Sequence, residues 1–199
     1  MTPDASSLII EFGSARDQAL LGGSFHGPEH DQTLRWNWIG DSPAWIVLPA
    51  GWLKPRQRYH ANLEATPFSP HNAPLQVFTV TLKGKVIHTE TFACDQADMS
   101  EDTVESPLPS GLLTIQTTKL PSPTLDIQFN EVPIKRLLFR EDQTLQPQTF
   151  EFDSPDEDSS GPSILTLIPG RTLSSARAFL GTDDRPLSFR LFRLILSTD

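Results

Sequence analysis

Proline decides which folds this chain can adopt. Of its 199 residues, 18 are proline and 11 are glycine. Few stretches longer than about ten residues escape both, and a helix interior tolerates proline poorly. Long helices are thereby excluded over most of the chain. Many short strands joined by turns are what remains.

Two-residue alternation supports strands directly. In Leu75 to Lys83, Phe78, Val80 and Leu82 share one face while Val77, Thr79 and Thr81 take the other, the pattern of a half-buried strand. Lys83-Gly84-Lys85 then reads as a tight reversal, with Val86 to Phe92 returning as the second arm of a hairpin. Further strands are expected at Ser7 to Phe12, Leu34 to Trp38, Trp45 to Leu48, Arg58 to Ala65, Leu112 to Thr117 and Leu125 to Asn130. Others are expected at Ile134 to Phe139, Thr149 to Phe152, Ile164 to Ile168 and Ser188 to Leu196. The last is apolar on both faces, as in the middle of a sheet, with Arg190 and Arg193 on opposite sides.

Such a chain is expected to be all-β: a two-sheet antiparallel β-sandwich, jelly-roll-like, forming one domain over residues 1–199. One short helix fits, from Thr172 to Gly181, with a Thr/Ser start and a Gly stop. Pro67 to Pro74, Cys94 to Pro109 and Ser154 to Pro162 read as loops, the last two acidic.

Composition narrows the partners. The formal net charge is −9, and the cations are dispersed apart from Lys135-Arg136, Arg185 and the Arg190/Arg193 pair, which argues against nucleic acid and anionic lipid. A single cysteine, Cys94, forms neither an internal disulfide nor a thiolate zinc site. Met1 to Ile10 carries no basic residue and only the brief apolar run Leu8-Ile9-Ile10, so neither signal peptide nor membrane span is read there. A cytoplasmic location is the expectation.

Candidate chemistry is sparse. His26-Gly27-Pro28-Glu29-His30 matches H-x-x-E-H, a zinc-protease motif that works only on a helix, where both imidazoles share one face. Gly27-Pro28 breaks that geometry, and the string reads as a loop. The acidic run Asp153 to Asp158 lacks the spacing and central glycine of an EF-hand. No G-x-S-x-G elbow occurs, and Cys94 has no base beside it in sequence. Neither metal nor cofactor is expected, and catalysis is not.

The tryptophans carry more information. Trp36, Trp38, Trp45 and Trp52 fall within 17 residues, and none occurs in the last 147. Leu34, Trp36 and Trp38 share one face, with Arg35 and Asn37 on the other. These rings either fill the core, the expectation for Trp36, or stand exposed as platforms for a sugar ring whose polar edge is held by Asn37, Arg35 or Glu29. Ligand-binding candidates are therefore Trp38, Trp45, Trp52, Arg35, Asn37, Glu29 and His26. Salt bridges between Glu29 and Arg35, and between Asp183 or Asp184 and Arg185, are expected to pin the neighbouring turns.

Two stretches also resemble a known family. Gly23 to Glu29, followed by Arg35-Trp36 and Ala44 to Pro49, and later Leu180 to Phe189, are similar to motifs of a β-sandwich accessory module found with bacterial cell-surface polysaccharide glycosyltransferases. They cover roughly a quarter of the chain. The resemblance implies a glycan-related sandwich, and with it a glycan or a protein of a polysaccharide-handling system as partner. Three functions stay open: a non-catalytic carbohydrate-binding or accessory module, a structural or protein-binding sandwich, and a glycan-active enzyme.

Overall fold

The computed structural model describes residues 7–69, 75–83, 85–93, 103–108, 111–119, 122–154, 162–172 and 182–198. In chain order these form β1 (Ser7–Glu11), a single 3-10 turn (Gln18–Leu20), β2 (Leu21–His30), β3 (Arg35–Leu48), β4 (Arg58–Pro67), β5 (Leu75–Leu82), β6 (Lys85–Ala93) and β7 (Thr103–Leu108). They continue with β8 (Gly111–Lys119), β9 (Thr124–Phe129), β10 (Val132–Leu138), β11 (Gln146–Asp153), β12 (Ser163–Pro169) and β13 (Phe189–Thr198). The described residues contain no α-helix, and no helix long and apolar enough to cross a membrane. The all-β antiparallel expectation describes the molecule.

Nine strands make one sheet in the order β10-β9-β12-β3-β13-β4-β11, with β1 beside β13 and β2 beside β3; β6-β5-β8-β7 make a second. Strand β3 lets the large sheet fold into two layers. Asn37 to Ile39 pair with Leu191 to Phe189, whereas Ala44 to Leu48 pair with Leu167 to Ser163 of β12. Between them, Gly40-Asp41-Ser42-Pro43 pairs with neither strand.

Apolar faces of both layers then meet. Tyr59, Ala61 and Leu63 of β4, Phe150 and Phe152 of β11 and Leu194 and Leu196 of β13 share one buried cluster with Leu125, Ile127 and Phe129 of β9 and Leu165 and Leu167 of β12. Phe129 and Phe152, on strands that share no hydrogen bonds, have ring centroids 4.8 Å apart. Burying each such aliphatic or aromatic side chain contributes about 1.5–3 kcal/mol. Arg171 and Glu141 add a bidentate ion pair at 2.6 Å, with side chains 5% and 17% exposed.

Several local expectations change. Leu34 to Trp38 and Trp45 to Leu48 are parts of one strand, β3, except Leu34, which precedes it and is 45% exposed. His26 to His30 is no loop but the end of β2, irregular between Gly23 and Pro28, so the H-x-x-E-H string lies on a strand. That too keeps its imidazoles off a helix face. Part of the second expected loop is strand β7. Most of the acidic loops, and Leu173 to Gly181 of the expected helix, lie outside the described residues. A bulge between Leu191 and Arg193 in β13 adds one residue to the count between them. Arg190 and Arg193 therefore face the same side.

Candidate functional site

Among the four tryptophans, Trp45 is the one open to solvent, 41% exposed. It lies on β3 directly opposite Gly22 of β2 and Thr166 of β12. A methyl group at Gly22 or Gly23 would come within 2.6 Å of indole carbons in the five- or six-membered ring respectively. The indole therefore lies flat over that glycine backbone, a position only glycine leaves room for. One ring face is covered by β2; the other is turned outward.

The ring bounds a depression of about 390 Å³ shared with Ile164, Thr166, Asn130 and Glu131. Asn130 and Glu131 form the β9–β10 turn, with φ of 46° and 69°, as in a type I′ hairpin turn. The Asn130 Oδ1 accepts the Ile164 N–H at 2.8 Å, and the Ile164 carbonyl accepts the Asn130 N–H at 2.9 Å. This fixes the turn against β12. The Asn130 amide NH₂, the Thr166 hydroxyl and the Glu131 carboxylate make no hydrogen bond to other described residues. A flat apolar face thus stands beside a donor, a carboxylate acceptor and a hydroxyl that serves as both.

Other candidates do not join this surface. Trp38 is 8% exposed, and its indole N–H donates to Glu29 Oε2 at 3.2 Å. Glu29 Oε1 accepts from Arg185 Nη1 at 2.7 Å, and Arg185 also holds Asp183 at 2.7 Å. The expected Asp183–Arg185 pair is present, but Glu29 is tied to Arg185 and not to Arg35. These bonds join the end of β2 to the segment before β13. The Arg185 guanidinium holds the Asp183 carboxyl down to about 2.

Asn37 is fully buried and its amide is saturated. Oδ1 accepts from the Gly13 N–H at 2.6 Å and Gln18 Nε2 at 3.0 Å, while Nδ2 donates to the His26 carbonyl at 2.8 Å and Gln18 Oε1 at 3.2 Å. His26 Nε2 lies 2.8 Å from the Pro186 carbonyl. Trp52 packs on the core with its ring 5.1 Å from Tyr59. Arg35 is exposed in a separate depression beside Glu11, Ser14 and Glu64.

Trp36 and Trp38 are buried, as the core alternative expected, but in a second cluster with Leu187 and Phe192, outside the main core. The Arg190 guanidinium lies over both rings, 5.5 and 5.3 Å from their centroids. Thr166, Asn130, Glu131 and Ile164 were absent from the sequence-derived candidates. Their one sequence signal was the break between the strands expected at Leu125 to Asn130 and Ile134 to Phe139, because proximity to Trp45 depends on strand pairing.

No protein-family model and no curated protein matches the chain. Among solved structures it is similar to the C-terminal CBM6 of LamC, a marine laminarinase from Zobellia galactanivorans, with a TM-score of 0.39 and 10% identity over 96% of this chain and 99% of that one. A CBM4 structure gives a TM-score of 0.32 and 10% identity, covering 100% and 90%. The CBM2 module of the evolved Dit protein of Lactobacillus casei BL23 phage J-1 gives 0.22 and 13%, covering 98% and 90%.

Proposed function

We propose that this protein is a non-catalytic carbohydrate-binding β-sandwich with its binding surface at Trp45. The observation that carries this reading is the outward indole face, held flat by Gly22 and Gly23, beside the Thr166, Asn130 and Glu131 hydrogen-bonding groups. A sugar ring presents the complement: a C–H face that packs on an aromatic ring and hydroxyls at its rim that exchange hydrogen bonds. Service in bacterial polysaccharide biosynthesis belongs to the same proposal and is supported by the motif resemblance in β2, β3 and the segment before β13.

A glycan array tests it. The parent protein is expected to bind at least one glycan, and Trp45→Ala to bind that glycan at least tenfold more weakly while keeping the parent's circular dichroism; tenfold corresponds to about 1.4 kcal/mol. Equal binding by parent and variant would remove the Trp45 site. A protein-binding reading draws on Val132 and Leu138, 65% and 67% exposed on edge strand β10. A silent array favours that reading.

A further inference from the structure

A second cavity shares no lining residue with the Trp45 depression. It is a groove of about 790 Å³ over β13, β4 and β11, and it includes Ile134 and Lys135 of β10. Its floor is a grid fixed by register: Ser197, His60 and Glu151 face one another across three strands, and Ile195, Asn62 and Thr149 form the next row.

The inner faces of these strands belong to the core, and the groove lies on the opposite face. A solvated sheet face would let its polar groups hydrogen-bond to water. Asn62 does not follow that pattern: its Oδ1 is buried and has no hydrogen-bond partner among the described residues. A buried acceptor left unsatisfied costs roughly 1–3 kcal/mol, so the atom calls for a partner that the described residues do not supply. Around it stand the Thr149 and Ser197 hydroxyls, the Lys135 ammonium and the Glu151 carboxylate, which lies 3.2 Å from His60 Nδ1. Ile134 and Ile195 supply apolar contact.

We propose that this groove is a second carbohydrate site, distinct from the Trp45 platform, in which the half-buried Asn62 amide turns toward the groove and Oδ1 accepts from a sugar hydroxyl. The lining has donors and acceptors spread along it, with one ammonium and one carboxylate. That suits a neutral polyhydroxylated ligand better than a polyanion or an apolar molecule. The chemical class of the ligand rests on the reading proposed for Trp45; the position of the site does not. A chain with two such sites engages two segments of one polymer, or two chains, and gains avidity from the second contact.

The test uses the full chain and a soluble oligosaccharide taken from the strongest array signal, titrated calorimetrically into the parent, Trp45→Ala and Asn62→Leu. The parent is expected to take up two equivalents and each variant one, with the double variant taking up none. Asn62→Leu removes the orphan acceptor at nearly constant volume, so it is expected to melt no lower than the parent while losing its site. A residue serving only the fold would not separate stability from binding in this way. One equivalent in the parent, lost in Trp45→Ala and untouched in Asn62→Leu, overturns the second site and leaves the first. Loss of all binding in Asn62→Leu with Trp45→Ala unaffected overturns the platform and keeps the groove. A silent array overturns both.

Discussion

Arg190 stands directly opposite Trp38 across the β13–β3 ladder and lays its guanidinium over that indole at 5.3 Å. Trp36, two residues before Trp38 on β3, receives the same cation at 5.5 Å. No carboxylate lies within ion-pair distance of Arg190 among the described residues; Asp31 and Glu29 act on it only at longer range, and burial pulls its pKa below the ordinary arginine value. Ring faces replace the missing counter-ion. Arg190→Lys, which keeps the charge but loses the planar stack, is expected to lower stability by about 1 kcal/mol, and Arg190→Ala by about 2 kcal/mol or more. Urea unfolding measures both, and a lysine variant as stable as the parent would show that stacking contributes nothing.

The tryptophans should divide by burial. Trp36→Ala and Trp38→Ala each open a cavity in the second cluster and are expected to cost about 3 kcal/mol, whereas exposed Trp45→Ala should cost less than about 1 kcal/mol. Equilibrium denaturation of the three variants tests the ordering. A Trp45 variant as unstable as the Trp38 variant would make that ring structural.

Gly22→Ala should act on the platform without unfolding β2. Its methyl group would overlap the Trp45 indole, so the ring must lift from the backbone. Acrylamide quenching of tryptophan fluorescence is expected to rise relative to the parent, with the melting temperature nearly retained. Unchanged quenching would mean that the indole does not rest on Gly22.

Acid should loosen the Asp183–Arg185 pair, which steadies the guanidinium that Glu29 of β2 holds. Hydrogen bonds from the Arg185 side chain, then from its backbone N–H, hold the Asp183 carboxyl down from 3.8 to about 2. A carboxyl depressed in the folded state contributes stability that is complete above its unfolded pKa, and the contribution is lost as pH falls through the folded one. Loss is therefore expected between about pH 4 and pH 2. Because Trp38 shares Glu29 with Arg185, a fluorescence change in that window should be absent in Asp183→Asn. The same transition in the variant would assign it to other carboxylates.

The β9–β10 turn offers a gain of stability. Glu131 sits at φ 69°, where a side chain is strained and glycine is not. Glu131→Gly is expected to stabilise the fold by roughly 0.5–1 kcal/mol and, if the carboxylate touches ligand, to weaken glycan binding at the Trp45 site. Denaturant titration shows the first effect and the array the second; a destabilised variant would contradict the turn assignment.

Much of the fold was legible in the chain. Proline spacing excluded long helices, alternation located most strands, and Lys83-Gly84-Lys85 marked a hairpin. These are local properties, set by backbone geometry and by which side of a strand each residue occupies. Tertiary pairing decided the rest. Alternation placed Trp36 and Trp38 on one face but did not say whether water, the core or an arginine lay beyond it. Arg190, more than 150 residues later in sequence, answered that through the β13–β3 register, while a bulge beside Leu191 brought Arg193 to the same face. Glu29 had a cation six residues away, Arg35, yet pairs with Arg185, because β2 is an extended strand that turns the two side chains apart and the fold returns the later segment to it. Trp45 became the open ring because two glycines of β2 lie beneath it and the β9–β10 turn stands beside it. The Asn62 groove had no sequence signal, since its rows join three strands whose neighbours are fixed only when the sheet assembles.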